Sequence, residues 1–314
     1  MFSFLKGKKS ENQCLGIAVN PYGISFALVN RLDDQLHLDS LAFDTADNVE
    51  DLTGLLKQLV SKHGLKGKPA VFVMHPQHYA VVQIESPEVA PEELKNAVRW
   101  RIKDLIDFHI DDAEIDLVPL PQGKRTGSPK LMYAVATKTS YVQSIAEAMQ
   151  EAGLEINAID ITELALRNMT YADAEENRAL ALLYLSEFVS LIEICDNGSL
   201  CLSRHINLDV SRMDTDSSDG RNEILDILSL EIQRSLDYYE SQFANGAAAK
   251  LNVISQIAIP HEEFQEVAGS YLTVPIEPLH AFDMLQGADH HDSKLLASCA
   301  PAIGAAIRNF AWTK

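Results

Sequence analysis

The chain has 314 residues, 46% of them hydrophobic, enough for about two domains or one large α/β unit with a sizeable core. Its formal net charge of −19 excludes a broad nucleic-acid face, which needs clustered lysines and arginines against phosphate, and it disfavours wide contact with an anionic membrane surface. No apolar run approaches the roughly 18 residues that a membrane-spanning helix needs. The opening segment holds Phe2, Phe4, Leu5 and nearby lysines but no signal-peptide pattern, so a frayed soluble terminus is expected there.

Residues 15–28 open the fold. Leu15-Gly16-Ile17-Ala18-Val19 and Ile24-Ser25-Phe26-Ala27-Leu28 read as strands, and Asn20, Pro21 and Gly23 supply the turn chemistry between them. A third strand is expected over 35–43. A helix follows over 49–63, with Leu52, Leu55, Leu56, Leu59 and Val60 on one face, Asp47 or Asn48 as its cap and Gly64 as its stop. A short buried strand covers 70–74.

The next block reads as an insertion. It holds a strand over 80–85, then a helix from Pro91 to about residue 108 with Glu92 and Glu93 in its first turn. A strand pair over 114–119 and 130–137, joined by a flexible loop, leads to a helix over 141–152 and a strand over 156–160. A helix over 162–171 leaves this half.

After the polar segment 173–178 the pattern restarts. Strands are expected over 179–185, 188–195 and 200–206, with Asp196-Asn197-Gly198 as a hairpin turn. An acidic loop over 213–221 precedes a long helix over 222–243, a strand over 251–255, a helix over 262–268, a strand over 273–276 and a closing helix over 293–310. Strand, strand, strand, helix, strand thus occurs twice. The prediction is an α/β fold of two duplicated halves, residues 1–172 and 173–314, with an inserted subdomain at about 80–158.

Cys14, Cys195, Cys201 and Cys299 form no CxxC and fall in apolar stretches, which suits small buried hydrophobes in a reducing compartment such as the cytoplasm. Neither GxxxxGK[ST] nor GxGxxG nor GxSxG occurs, which argues against a P-loop, Rossmann or α/β-hydrolase enzyme. Pro76 interrupts His75-Pro76-Gln77-His78, so these read as loop histidines; His290-His291-Asp292 and the run Asp111, Asp112, Glu114, Asp116 read as solvated. No metal site and no catalytic residues are expected.

Ala97-Val98-Arg99-Trp100-Arg101-Ile102 through Phe108, then Tyr133-Ala134-Val135-Ala136-Thr137, Glu231-Ile232-Gln233-Arg234-Ser235-Leu236-Asp237-Tyr238-Tyr239 and Ala302-Ile303-Gly304 follow one another in an order that resembles the PilM-type family of type IV pilus assembly, in its MSHA (mannose-sensitive haemagglutinin) branch. The resemblance covers nearly the whole chain. It implies an actin-like ATPase fold related to FtsA, ATP held between the halves, and a cytoplasmic protein peripheral at the inner membrane. It also implies a PilN-like (MshJ-like) inner-membrane partner, docked through its N-terminal tail, and contacts with other pilus platform proteins.

The same resemblance puts Ala18, Asn20, Pro21, Tyr22, Tyr184, Ser186, Ser255 and Gln256 at the nucleotide-site positions, and there the chain departs from the pattern. Ala18 replaces the carboxylate that organises Mg²⁺ and its waters. Pro21 deletes a backbone N–H from a turn that grips phosphate through such groups. Tyr184 stands for a second carboxylate, and Ser255-Gln256-Ile257 for a glycine-rich run that lets the backbone approach adenosine. The expectation is a degenerate, non-catalytic scaffold without ATP or Mg²⁺. The alternative is an actin-like ATPase with unconventional ligands, Glu187 or Asn20. Arg99 and Trp100 are candidate partner contacts, weighed equally against a solvated Arg99 and a Trp100 that caps its helix's core face.

Overall fold

In the computed structural model, which describes residues 12–33, 35–123, 129–170, 178–208, 218–243, 246–257, 259, 261–278 and 282–310, the duplicated pattern becomes two main sheets. Strands β1 (Gln13–Asn20), β2 (Gly23–Leu32) and β3 (Gln35–Thr45) form an antiparallel meander. β4 (Pro69–Met74) pairs parallel with β1 and is buried at every position, the mark of a strand covered on both faces.

One face is covered by α1 (Leu52–His63) and α3 (Thr139–Glu151), where Leu56, Leu59, Ile145 and Met149 meet Phe72 and Ile17. The other is covered by α4 (Thr162–Met169) and α8 (Ala300–Ile307), against Val71 and Val73.

The second sheet has the order β11-β10-β9-β12-β13, from β9 (Leu180–Leu185), β10 (Ser190–Asp196), β11 (Ser199–His205), β12 (Leu251–Ser255) and β13 (Ile276–Pro278). Helices α5 (Ser218–Phe243) and α6 (His261–Ala268) cover its outer face through Leu225, Leu228, Ile232 and Phe264. Its inner face, with Leu182, Tyr184 and Leu191, packs into the core that holds α4 and α8. These two helices are therefore the layer shared by both halves. They approach so closely that a Cβ on Gly304 would stand 2.0 Å from the Ala165 carbonyl oxygen, and one on Gly16 of β1 would stand 1.8 Å from the Ala302 carbonyl oxygen.

A separate sheet of order β5-β7-β6 stands beside the first half: β5 (Tyr79–Glu85), β6 (Ala113–Pro119) and β7 (Leu131–Lys138). Helix α2 (Leu94–Ile102) buries Val98 and Ile102 against Ile115, Ala134 and Ala136.

Several boundaries differ from expectation. The inserted sheet ends at Lys138, not near 158. Helix α3 shares its core with α1, and β8 (Glu155–Ile161) pairs parallel with β4, so both rejoin the first half. Helix α2 stops at Ile102, ahead of Asp104 and Asp107, whose charges are unfavourable beyond a helix C-terminus. The cap of α1 is Asp51, which accepts the Gly54 N–H at 2.9 Å, and not Asp47 or Asn48. The closing helix is two helices, α7 (Ser293–Ser298) and α8, divided at Cys299 because Pro301 lacks an N–H to continue the ladder. Strand β14 (Leu285–Gln286), parallel to β3, was not anticipated. All four cysteines are free and buried, and burial pushes the Cys14 thiol up to about 12. The expectations for residues 1–9, for 124–128 within the first-half loop, for the boundary at 173–177 and for the acidic loop over 213–217 lie outside the described residues.

Candidate functional site: a closed cleft and an open groove

The two hairpin tips that face each other between the halves use their amides internally. In the β1–β2 turn, Asn20 Oδ1 accepts the Tyr22 N–H at 2.9 Å, and Pro21 has none to offer. In the β9–β10 turn, the Ser186 hydroxyl oxygen accepts the Val189 N–H at 3.0 Å and the Phe188 N–H at 3.4 Å. A turn that cradles phosphate must leave such donors pointing outward. Here side chains have taken them.

Aromatic and amide side chains close the space between the tips. The Phe188 ring lies edge-on to Tyr22 at 4.8 Å and 6.2 Å from His75. Gln256 Nε2 donates to the Tyr184 hydroxyl at 2.7 Å, and burial holds that phenol protonated, well above its ordinary range. Burial, with His78 and His205 adding to it, lowers the His75 imidazole to about 4, so it is neutral at neutral pH. The remaining cavity is about 40 Å³. Small-ligand pockets are roughly 300–1,000 Å³; this one has room for only a few waters. Ala18 brings no carboxylate to the cleft, and the Tyr22, Phe188 and Val189 amides are taken by side chains of their own turns.

Of the positions expected around a nucleotide, Ala18, Asn20, Tyr184, Ser186 and Gln256 do line the cleft. Tyr22 reaches it through Phe188. Ser255 bonds locally instead, donating to the Ile257 carbonyl at 2.7 Å and accepting the Ile257 N–H at 3.1 Å. Pro21 faces the other side of the hairpin. Sequence reasoning missed Phe188 and His75 as wall residues. A bulky aromatic at each hairpin tip was the available signal.

The other side of the hairpin opens into a groove between the first half and the inserted sheet. It consists of two hollows of about 530 and 470 Å³ that share Gln77, His78, Tyr141 and Ser144. The His78 and Tyr141 rings stack at 4.2 Å where the hollows meet. Leu105, Ile106 and Phe108, just after α2, wall the first. Val19, Pro21, Val49 and Leu52 wall the second, with Glu50 and Asp51 beside them. The first hollow mixes apolar walls with Gln77, Asp107, Lys138 and Ser140, and the second is mostly apolar.

Neither Arg99 nor Trp100 lines this groove. The Arg99 guanidinium is tied to the fold, donating to the carbonyls of Ile110 and, at 3.1 Å, Ala113. Trp100 is 66% exposed on the surface of α2. Among the described residues no group of three or more His, Cys, Asp or Glu could hold a metal ion, and no helix is long and apolar enough to cross a membrane.

Known structures share this architecture. The PilM–PilN type IV pilus biogenesis complex contains a chain that superposes with a TM-score of 0.69 at 18% identity, over 94% of this chain and 98% of that one. The cytoplasmic domain of EpsL, an inner membrane component of the type II secretion system of Vibrio cholerae, gives 0.50 at 11% identity, over 90% and 98%. A Bacteroides thetaiotaomicron protein of unknown function, described as having an actin-like ATPase fold, gives 0.49 at 13%, over 95% and 99%. No curated protein matches. The fold is the actin-like ATPase fold. A family model described as type IV pilus assembly protein PilM matches residues 25–214, and the chain belongs to that family.

Proposed function

We propose that this chain is a non-catalytic scaffold on the cytoplasmic side of an MSHA-type pilus assembly platform, an MshI-like PilM relative that takes the N-terminal tail of a PilN-like (MshJ-like) inner-membrane protein into its open groove. One observation carries the reading: the cleft between the halves is reduced to about 40 Å³ while the neighbouring groove holds hollows of about 530 and 470 Å³. Binding capacity lies in the groove.

An extended tail gains affinity from main-chain hydrogen bonds and specificity from side-chain pockets. Leu105, Phe108 and Val49 offer apolar pockets, and Glu50 and Asp51 favour a basic residue beside them. The PilM–PilN complex supports the class of partner. Membrane attachment then comes through the partner, and other platform proteins meet the remaining surface.

Isothermal titration with Mg·ATP and with a synthetic PilN-like tail tests both parts. The expected result is a micromolar isotherm for the tail and no heat for Mg·ATP. Tight, magnesium-dependent nucleotide binding would overturn the non-catalytic reading in favour of an ATPase with unconventional ligands. A flat tail titration would overturn the docking.

A further inference from the structure

The inserted sheet touches more than the half it grows from. Gln83 of β5 donates to the Tyr238 hydroxyl of α5 at 2.8 Å. The Tyr133 hydroxyl of β7 accepts the backbone N–H of Ser203 at 2.9 Å. Ser203 lies in β11, the edge of the second sheet, so this phenol satisfies an amide on a strand with a free side.

A third connection runs through Glu163, in the first turn of α4. Tyr79 of β5 donates to Glu163 Oε2 at 2.6 Å, and His205 Nε2 of β11 stands 3.0 Å from Glu163 Oε1. Glu163 is fully buried. A buried carboxylate is costly unless its oxygens are held. Here the inserted sheet holds one oxygen and the second half holds the other.

We propose that the inserted sheet is a strap that fastens the second half to the first, with Glu163 as its anchor. The layer of α4 and α8 that both halves share leaves rotation about that layer as the soft motion between packed bodies. Helix α5 covers the far face of the second sheet, so the Gln83–Tyr238 bond lies away from that layer and opposes rotation. The Tyr133–Ser203 bond restrains the sheet's edge. The halves are thus held closed by the chain's own side chains.

The test is a distance measurement by electron–electron resonance between spin labels on Asn96→Cys and Glu240→Cys, both exposed positions, in the full chain, whose native cysteines are all buried. The chain with Gln83, Tyr133 and Tyr79 intact gives one narrow distance. Gln83→Ala with Tyr133→Phe broadens the distribution and speeds amide exchange over residues 199–205 by about tenfold. Adding Tyr79→Phe broadens it further. An unchanged distribution and unchanged exchange in a triple variant of native circular dichroism overturns the strap. If the triple variant does not fold, Gln83→Ala alone, at the exposed end of the strap, decides by the same two readouts.

Discussion

The closed cleft and the open groove lie on opposite sides of one hairpin, and the contrast between them is a contrast of side chains on a shared backbone frame. On the cleft side, Asn20, Ser186, Tyr184 and Gln256 bond to one another or to their own turns, so polar groups are spent inward. On the groove side, Pro21 joins Val49 and Leu52 in an apolar wall. Side chains at the tips therefore set how open each space is, on strands common to both.

The largest test of that frame is Gly16→Ala. The added Cβ would meet the backbone of α8 at 1.8 Å, which no rotamer change relieves. Chemical denaturation should show a loss of about 3 kcal/mol or more. A variant as stable as the parent would mean that the shared layer does not hold both spaces in place. Tyr184→Ala comes next. Removing a buried ring from the cleft wall should cost about 3 kcal/mol, and Mg·ATP should still give no heat, because Ala18 and the tip amides are unchanged. Nucleotide binding by this variant would show that Tyr184 alone closes the cleft.

Tyr141→Ala sharpens the groove side. It removes the ring stacked on His78 where the two hollows meet and should weaken the tail peptide about tenfold, ~1.4 kcal/mol, by titration. The cleft has a pH signature of its own. The ordinary His value is 6.5, and His75 in the fold sits at about 4. Between those values the unfolded chain binds a proton that the folded chain refuses, so this contribution to stability is complete above 6.5 and declines as pH falls toward 4. Denaturation midpoints at about pH 7 and about pH 4.5 should diverge less in His75→Gln than in the parent. The smallest effect is expected from Trp100→Ala. That side chain is largely exposed and outside the groove, so stability should stay within about 0.5 kcal/mol and tail affinity should not change. A large loss of affinity would return the partner surface to α2.

The fold was legible wherever period and burial agree. The apolar runs on either side of the turn at 20–23 and the single apolar face of 52–60 are local patterns, and both elements formed. The substitutions at Ala18, Pro21 and Tyr184 were legible too, since each removes or adds a chemical group visible in one letter. The groove was not. Pro21, Leu52, His78, Phe108 and Tyr141 come from five separated segments, and only the parallel docking of β8 on β4 brings α3 beside the hairpin. The same long-range pairing hid the end of the inserted sheet, because a helix and a strand after Lys138 look alike whichever sheet they join. Arg99 looked like an exposed anchor, but two backbone carbonyls of its own subdomain claim it.

The position of α8 in the chain bears on how the protein is made. Residues 300–307 are translated after every strand they cover, yet Gly16, Ala18 and Val73 of the first sheet pack on them. Strand β14, also late, completes that sheet's edge. A nascent chain that has produced all of the first half has α4 on one face of its sheet but still lacks α8 beside it. Domain-by-domain folding during synthesis does not serve such a topology, and the interval before release is when the chain is most exposed to aggregation and most in need of a chaperone.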